Sequence, residues 1–448
     1  MVDQGFSTSH SKPRRTNTMN KRPLLTVCRL FFACGFLAVA VLPVTAFSAE
    51  GAKEFDMHAP YVRYHFADPD MDFTFGSVVL GSTVNHGCEI GEAFYTASNI
   101  KDGDAASWQE NWLGMAAKAE ARGEKSLAGG HKVSAREQLL RASNYYRFGL
   151  MCMMPDDPRL KPTAAKSRAL MKKAGTLFDP PMEYVEIPFE GTVLPGYFRK
   201  GANDGKPRKT LLMLGGGETF AEDLVFYSMS QAIERGYNFM TLDLPGQGLL
   251  PLEGKYFRPD EYVAVMKAVD YAVSRKDVDK SRLAVFGISG GGGFAPQTAE
   301  HDPRVKAVVM SSCVVDAYPL FASMTPVVAS TPEKVKTFST FHGNTAKLVA
   351  WRWGVSMDNI PGLVEANKGF SFDPAKVTVP ALSLVGEGEY QNEETRRQQQ
   401  VCIDGLVNDI KGLVVTPLNE GASNHCIMEN RSIVGQVVFD WLDDVFKK

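Results

Sequence analysis

Ser289 stands in a run of glycines, AVFGISGGGGFA at 284–295. Gly287, Ser289 and Gly291 satisfy G-x-S-x-G, a pattern in which serine rides a sharp strand-to-helix turn with its hydroxyl exposed. A hydroxyl becomes a nucleophile only beside a base. His425, in NEGASNHCIMEN, follows the last apolar run and precedes the terminal helical stretch SIVGQVVFDWLDDVF. That placement sets it apart from His131, His301 and His342, which read as structural. The base in turn needs a carboxylate to orient it. Glu389 in GEGEY, just after the run ALSLVG, is the expected acid. Asp316, after KAVVMSS, is the alternative, with Glu387 behind it. A tetrahedral oxyanion needs backbone donors. Gly290 supplies one, and the turn LGGGET at 214–219 aims a second from Gly216 or Gly217. The plainer reading is a pair of glycine-rich turns and a surface histidine. A dinucleotide loop is disfavoured, because there is no G-x-G-x-x-G and the first strand-helix turn lies elsewhere.

These residues need strand ends to hold them. YVEIPFEGTVLPGYFR reads as a hairpin turning at Glu190-Gly191. The runs at 210–214, 237–244, 282–287, 306–312, 381–386 and 412–418 then alternate with helical stretches such as PDEYVAVMKAVDYAVSR. This alternation predicts an α/β fold, a mostly parallel sheet covered by helices on both faces, with ligands at the strands' carboxyl ends. Each candidate residue follows such a run. Upstream, 89–178 reads as helices: Trp108, Trp112, Met115 and Ala119 share one face, as do Leu139, Ala142, Tyr146 and Leu150. Asp179-Pro180-Pro181 ends that texture. The expected organisation is a signal region at 1–49, a helical cap domain at 50–180 and a catalytic domain at 181–448. The interval 314–372, too long for a simple crossover, is a candidate lid within it.

Composition narrows the partners. With 44% hydrophobic and 22% charged residues and a formal net charge of -2, the 448-residue chain has a globular balance and no basic surface for nucleic acid. Lys21 and Arg22 precede an apolar stretch ending in small residues, the order of a secretory signal cleaved after Ala46, Ser48 or Ala49. The expectation is a secreted or periplasmic protein, without stable membrane insertion once the signal is removed. Its expected partner is a small-molecule substrate, and a homodimer is left open. Of the seven cysteines, Cys88, Cys152, Cys313, Cys402 and Cys426 would remain. That odd number leaves at least one thiol unpaired, in a setting that permits disulfides.

The stretches ASNYYRFG, VEIPFEGTVLPGYF, LLMLGGGET, LDLPGQG, VDKSRLAVFGISGGGGFAPQTAEHDPRVKAVV and GASNHC span most of residues 135–430. Together they resemble the α/β-hydrolases with an N-terminal helical domain, the family of 2,6-dihydroxypseudooxynicotine hydrolase and the fermentation-respiration-switch esterases. The chain order serine, acid, histidine is also theirs. The resemblance implies Ser289 as nucleophile and His425 as base, with Glu389 where the family usually has Asp. It implies a helical domain that caps the site, and neither a metal nor an organic cofactor. The activity expected is hydrolysis of an ester or thioester of a small organic substrate by a Ser-His-acid triad. One alternative is C–C bond hydrolysis of a ketone or β-diketone; another is a catalytically silent hydrolase fold used for binding.

Overall fold

The apolar runs pair into one eight-stranded sheet in a computed structural model that describes residues 61–447; the export signal expected at 21–49 lies outside the described residues. The strands are β1 (Met182–Phe189), β2 (Thr192–Arg199), β3 (Arg208–Leu214), β4 (Asn238–Leu242), β5 (Val278–Ile288), β6 (Ala307–Ser311), β7 (Ala381–Gly386) and β8 (Lys411–Thr416). Their order is β1-β2-β4-β3-β5-β6-β7-β8. β2 runs antiparallel to β1 and β4, and every other neighbouring pair is parallel. The β1–β2 hairpin turns at Glu190 and Gly191, both at positive φ, which matches the turn to the twist of the strands.

Alternate residues of each central strand enter different cores. Leu211, Met213, Ala284, Phe286, Val309 and Leu384 face a core shared with Trp108, Trp112, Tyr145 and Phe148 of the upstream helices. Leu212, Leu214, Val285, Val308 and Met310 face a second core with Ala264, Val265 and Val269 of the helix Tyr262–Ser274. Burial on both faces explains why these strands read as continuous apolar runs.

Upstream of β1 lie the helices Ile90–Ala97, Ala105–Ala128, Lys132–Gly149 and Leu160–Gly175. Trp108, Trp112, Met115 and Ala119 are buried as one face. On the next helix the buried aromatics are Tyr145 and Phe148. Tyr146, expected there, is half-buried and donates its hydroxyl to Glu120 at 2.8 Å. Helical structure also begins earlier than Glu89, with short turns across Pro69–Asn85. The glycines and β-branched residues of GSVVLGSTV lower helix propensity, and burial of Phe75 and Val79 overrides it. A desolvated ion cluster fastens these helices to the sheet. Arg168 donates to Glu222 and to Asp243, each at 2.8 Å, and the Tyr197 hydroxyl donates to Glu222 at 2.6 Å. Burial pushes Asp243 up to about 6, whereas at Glu222 burial is outweighed by the Arg168 charge together with the hydrogen bonds from Arg168 and Tyr197, which hold the carboxyl below its usual range.

The interval after β6 leaves and returns through a narrow neck, where Ala317 N donates to Phe370 O and Phe372 N to Val315 O. Between them lie five short to medium helices, the longest being Thr340–Arg352. Among the described residues no helix is long and apolar enough to cross a membrane.

Candidate active site

β5 runs into Ser289 and the helix Gly291–His301 starts two residues later, so the chain reverses within one turn. Ser289 adopts φ 55°, a left-handed conformation that costs a non-glycine residue about 1–3 kcal/mol. Its N–H donates to Ser311 O at 2.8 Å, tying the turn to β6. A side chain at Gly287 would sit 1.8 Å from Gly291 O, so the tight crossing of strand and helix requires glycine there.

His425 begins a 3-10 turn after β8, and Glu389 lies in the short helix Glu387–Tyr390 after β7. The fold brings both to Ser289. His425 Nε2 lies 3.0 Å from Ser289 Oγ, and Nδ1 lies 2.5 Å from Glu389 Oε1. The other Glu389 oxygen accepts from Cys426 N at 3.3 Å, and Glu429 Oε1 accepts from Ser423 N and Asn424 N, so the histidine loop is held at both ends. Burial alone would lower the His425 pKa; the Cys426 sulfur and the Glu389 carboxylate turn the shift upward, well above 6.5. Burial also pushes the Cys426 thiol up.

The other two acids go elsewhere. Asp316 Oδ1 caps the helix Ala317–Ser323 through Tyr318 N at 3.0 Å, and Glu387 accepts from Leu418 N at 2.7 Å. Of the expected oxyanion donors, Gly290 and Gly217 are residues that line the cavity with Ser289, and their N–H groups meet no described acceptor. Gly216 does not serve as a donor: its N–H goes to Thr219 Oγ1 at 3.0 Å within its own turn. Its part is close approach, since a Cβ there would lie 2.6 Å from Ser289 Oγ.

The cavity has a volume of about 310 Å³ and mostly apolar walls. Phe148 comes from the upstream helix Lys132–Gly149 and Met151 from the turn after it, and Leu320, Phe341, Val349 and Trp353 come from the 314–372 interval. His342, read as structural from the sequence, lines this cavity with its Nδ1 paired to Asp70. Arg147 also lines it, paired with Asp223 at 3.0 Å. No local signal pointed to Asp70 or Arg147, because their roles depend on partners far along the chain. Cys426 was visible beside His425; its Sγ lies 3.4 Å from His425 Nε2 and donates to Ser311 O. His301 stacks on Tyr262 with ring centroids 3.8 Å apart. Cys313 and Cys402 form a disulfide, and Cys88, Cys152 and Cys426 are free and buried.

Known proteins resemble this chain in sequence and in fold. The prolyl oligopeptidase family pattern matches residues 258–335, which include the Ser289 turn. A hydrolase from a Fusarium species is 37% identical over 261 residues, 55% of this chain and 62% of the relative, so the match spans less than two thirds of that protein. An α/β hydrolase from an Acremonium species is 31% identical over 331 residues, 68% of this chain and 78% of the relative. The solved structure of 2,6-dihydroxy-pseudo-oxynicotine hydrolase is similar in fold at 21% identity, with a TM-score of 0.64 over 82% of this chain and 95% of that one. With its sheet order and a relative matched over most of that relative's length, the chain belongs to the α/β-hydrolase family.

Proposed function

We propose that the protein cleaves an ester or thioester of a small, largely apolar acid through a Ser289–His425–Glu389 triad. The observation that carries this reading is the unbroken hydrogen-bonded line from Glu389 through His425 to Ser289, on the floor of the apolar cavity. Ser289 attacks the carbonyl as His425 Nε2 takes its proton. Glu389 holds the imidazolium that forms, and the N–H groups of Gly290 and Gly217 receive the oxyanion. His425 then returns the proton to the departing alkoxide or thiolate, and water repeats the sequence to release the acid. An activated fluorophosphonate should label Ser289, and short p-nitrophenyl esters should turn over. Absence of both would reject the assignment.

Carbon–carbon cleavage is the second reading, and the Asp70–His342 pair in the cavity wall favours it. A carbanion leaving group needs stabilisation by conjugation or by a polar group of the pocket, and this pair is such a group. Comparing kcat/KM on p-nitrophenyl esters and on aromatic β-diketones separates the two; a large preference for the diketone promotes C–C hydrolysis. We also infer export to an oxidising compartment, supported by the Cys313–Cys402 disulfide. Intact mass of the native protein tests it: retention of residues 19–46 would reject signal cleavage.

A further inference from the structure

Behind the oxyanion loop, outside the cavity lining, lies a fully buried glutamine. Gln247 belongs to the turn Asp243-Leu244-Pro245-Gly246-Gln247-Gly248 that follows β4. Its Nε2 donates to Gly215 O at 2.8 Å and Gly216 O at 3.1 Å, and its Oε1 accepts from Leu244 N at 2.9 Å. Carbonyls only accept and an N–H only donates, so these three partners fix which end of the amide is which.

The carbonyls it holds belong to the loop that carries Gly217. In a planar trans peptide the C=O and the following N–H point in opposite directions. Holding Gly216 O on the buried side therefore directs Gly217 N–H to the other side, where Gly217 and Ser289 line the cavity. Gly215, Gly216 and Gly217 have little intrinsic preference for one peptide orientation over its flip. The direction must come from outside the loop. Gly216 N–H is already committed to Thr219 Oγ1, so Gly217 is the donor whose aim matters.

We propose that Gln247 is a positioning residue for the oxyanion hole: by holding Gly216 O it aims Gly217 N–H at the developing oxyanion. The inference rests on the serine-hydrolase reading above. Gln247 touches no substrate. Its removal misdirects a donor used in the transition state and leaves ground-state binding alone.

The test is steady-state kinetics of the full-length protein on a p-nitrophenyl ester and its thionoester analogue. Sulfur accepts hydrogen bonds poorly, so the ester-to-thionoester ratio of kcat/KM reports how well the oxyanion hole is aimed. Gln247→Met should lower ester kcat by about 10²-fold with little change in KM, the scale of losing one oxyanion donor, and should lower the ratio. Q247E carries its own control. Below its titration the new carboxylic acid donates to Gly216 O and accepts from Leu244 N, whereas the carboxylate donates nothing. Its ratio should therefore rise as pH falls, while the wild-type ratio stays flat. A folded Gln247→Met with wild-type kcat and ratio overturns the proposal. If that variant does not fold, a pH-independent ratio in Q247E overturns it alone. A wild type that neither labels at Ser289 nor hydrolyses esters rejects the serine-hydrolase reading instead.

Discussion

The carboxyl edge of the sheet and the helical wall above it build one cavity by different means. At the edge, backbone holds the reactive groups: Ser289 at φ 55° with its N–H on β6, and His425 in a loop clamped by Glu429. In the wall, side chains hold one another. Asp70 and His342 are 272 residues apart in sequence, and Arg147 and Asp223 are 76 apart. A backbone-held site tolerates exchange of the wall above it; a wall held by side-chain pairs can be retuned pair by pair. On the proposed reading, chemistry is lodged in the first region and selectivity in the second.

The sharpest break in that division is Ser289→Ala. One hydroxyl is lost from a turn whose shape depends on backbone, so turnover should fall by about 10⁴-fold or more with the fold intact. Fluorophosphonate labelling should vanish with it. Circular dichroism and kcat together check this, and a fully active alanine variant would end the edge's claim to the chemistry.

Next comes the acid. Glu389→Gln should lower kcat by roughly 10³–10⁴-fold, since the amide no longer stabilises the imidazolium or fixes its tautomer. Asp316→Asn should leave kcat near wild type, because asparagine still caps the helix Ala317–Ser323. The pH profile carries the same information. Glu389 favours the charged ring against burial, so His425 keeps its proton to higher pH and kcat/KM should rise through an acid limb above 6.5. Glu389→Gln should move that limb downward, since one of the two groups that oppose burial loses its charge. A larger loss in Asp316→Asn would exchange the two roles.

Arg168 sharpens the comparison from the wall's side. It lies on an upstream helix and neutralises Glu222 and Asp243, both nearly inaccessible to water. Arg168→Met strands two buried carboxylates and should cost about 3–5 kcal/mol of stability. The shift in denaturant midpoint measures it. Short-ester kcat of the folded fraction should hold, and a loss of kcat without a loss of stability would show that the fastening reaches the chemistry.

The same contrast explains what could be read in advance. Ser289, Glu389 and His425 each follow an apolar run, and strand ends are where such a fold gathers ligands, so local pattern locates them. The ALSLVG run and β7 coincide, and the hairpin turns at Glu190-Gly191 as expected. Gly216 was placed one residue too generously, because which N–H of a glycine turn is spent internally depends on the rotamer of Thr219. Asp70 sits in a short helix with a local start signal, Asp68-Pro69, but its partner His342 lies 272 residues on and leaves no local trace. The helical register of 132–149 puts Tyr146 against the core, where it packs half-buried, but the fully buried aromatic is its neighbour Tyr145, whose hydroxyl reaches Glu92. Side-chain direction within a helical layer depends on the layer it meets, and one chain's periodicity does not contain it.

Trp353 lies where the two regions touch, and its effect should be the smallest. It ends the helix Thr340–Arg352, and its ring nitrogen donates to Asn367 at 3.1 Å. Its ring packs 4.3 Å from that of Phe257, and a Cβ on Gly217 would meet it at 3.4 Å. The indole thus leans on the oxyanion loop from the cavity side and limits the space beside Ser289. Trp353→Leu shortens that wall while leaving Gly216 O held from behind by Gln247. Acyl groups that now fit gain contact, and short ones lose a surface to pack against. One altered apolar contact is worth about 1–3 kcal/mol of discrimination, so the ratio of kcat/KM for bulky to short p-nitrophenyl esters should rise by about tenfold. Short-ester kcat should change little. If kcat falls severely for every ester alike, the ring supports the oxyanion loop as well as the wall, and the boundary between chemistry and selectivity lies deeper in the helical layer.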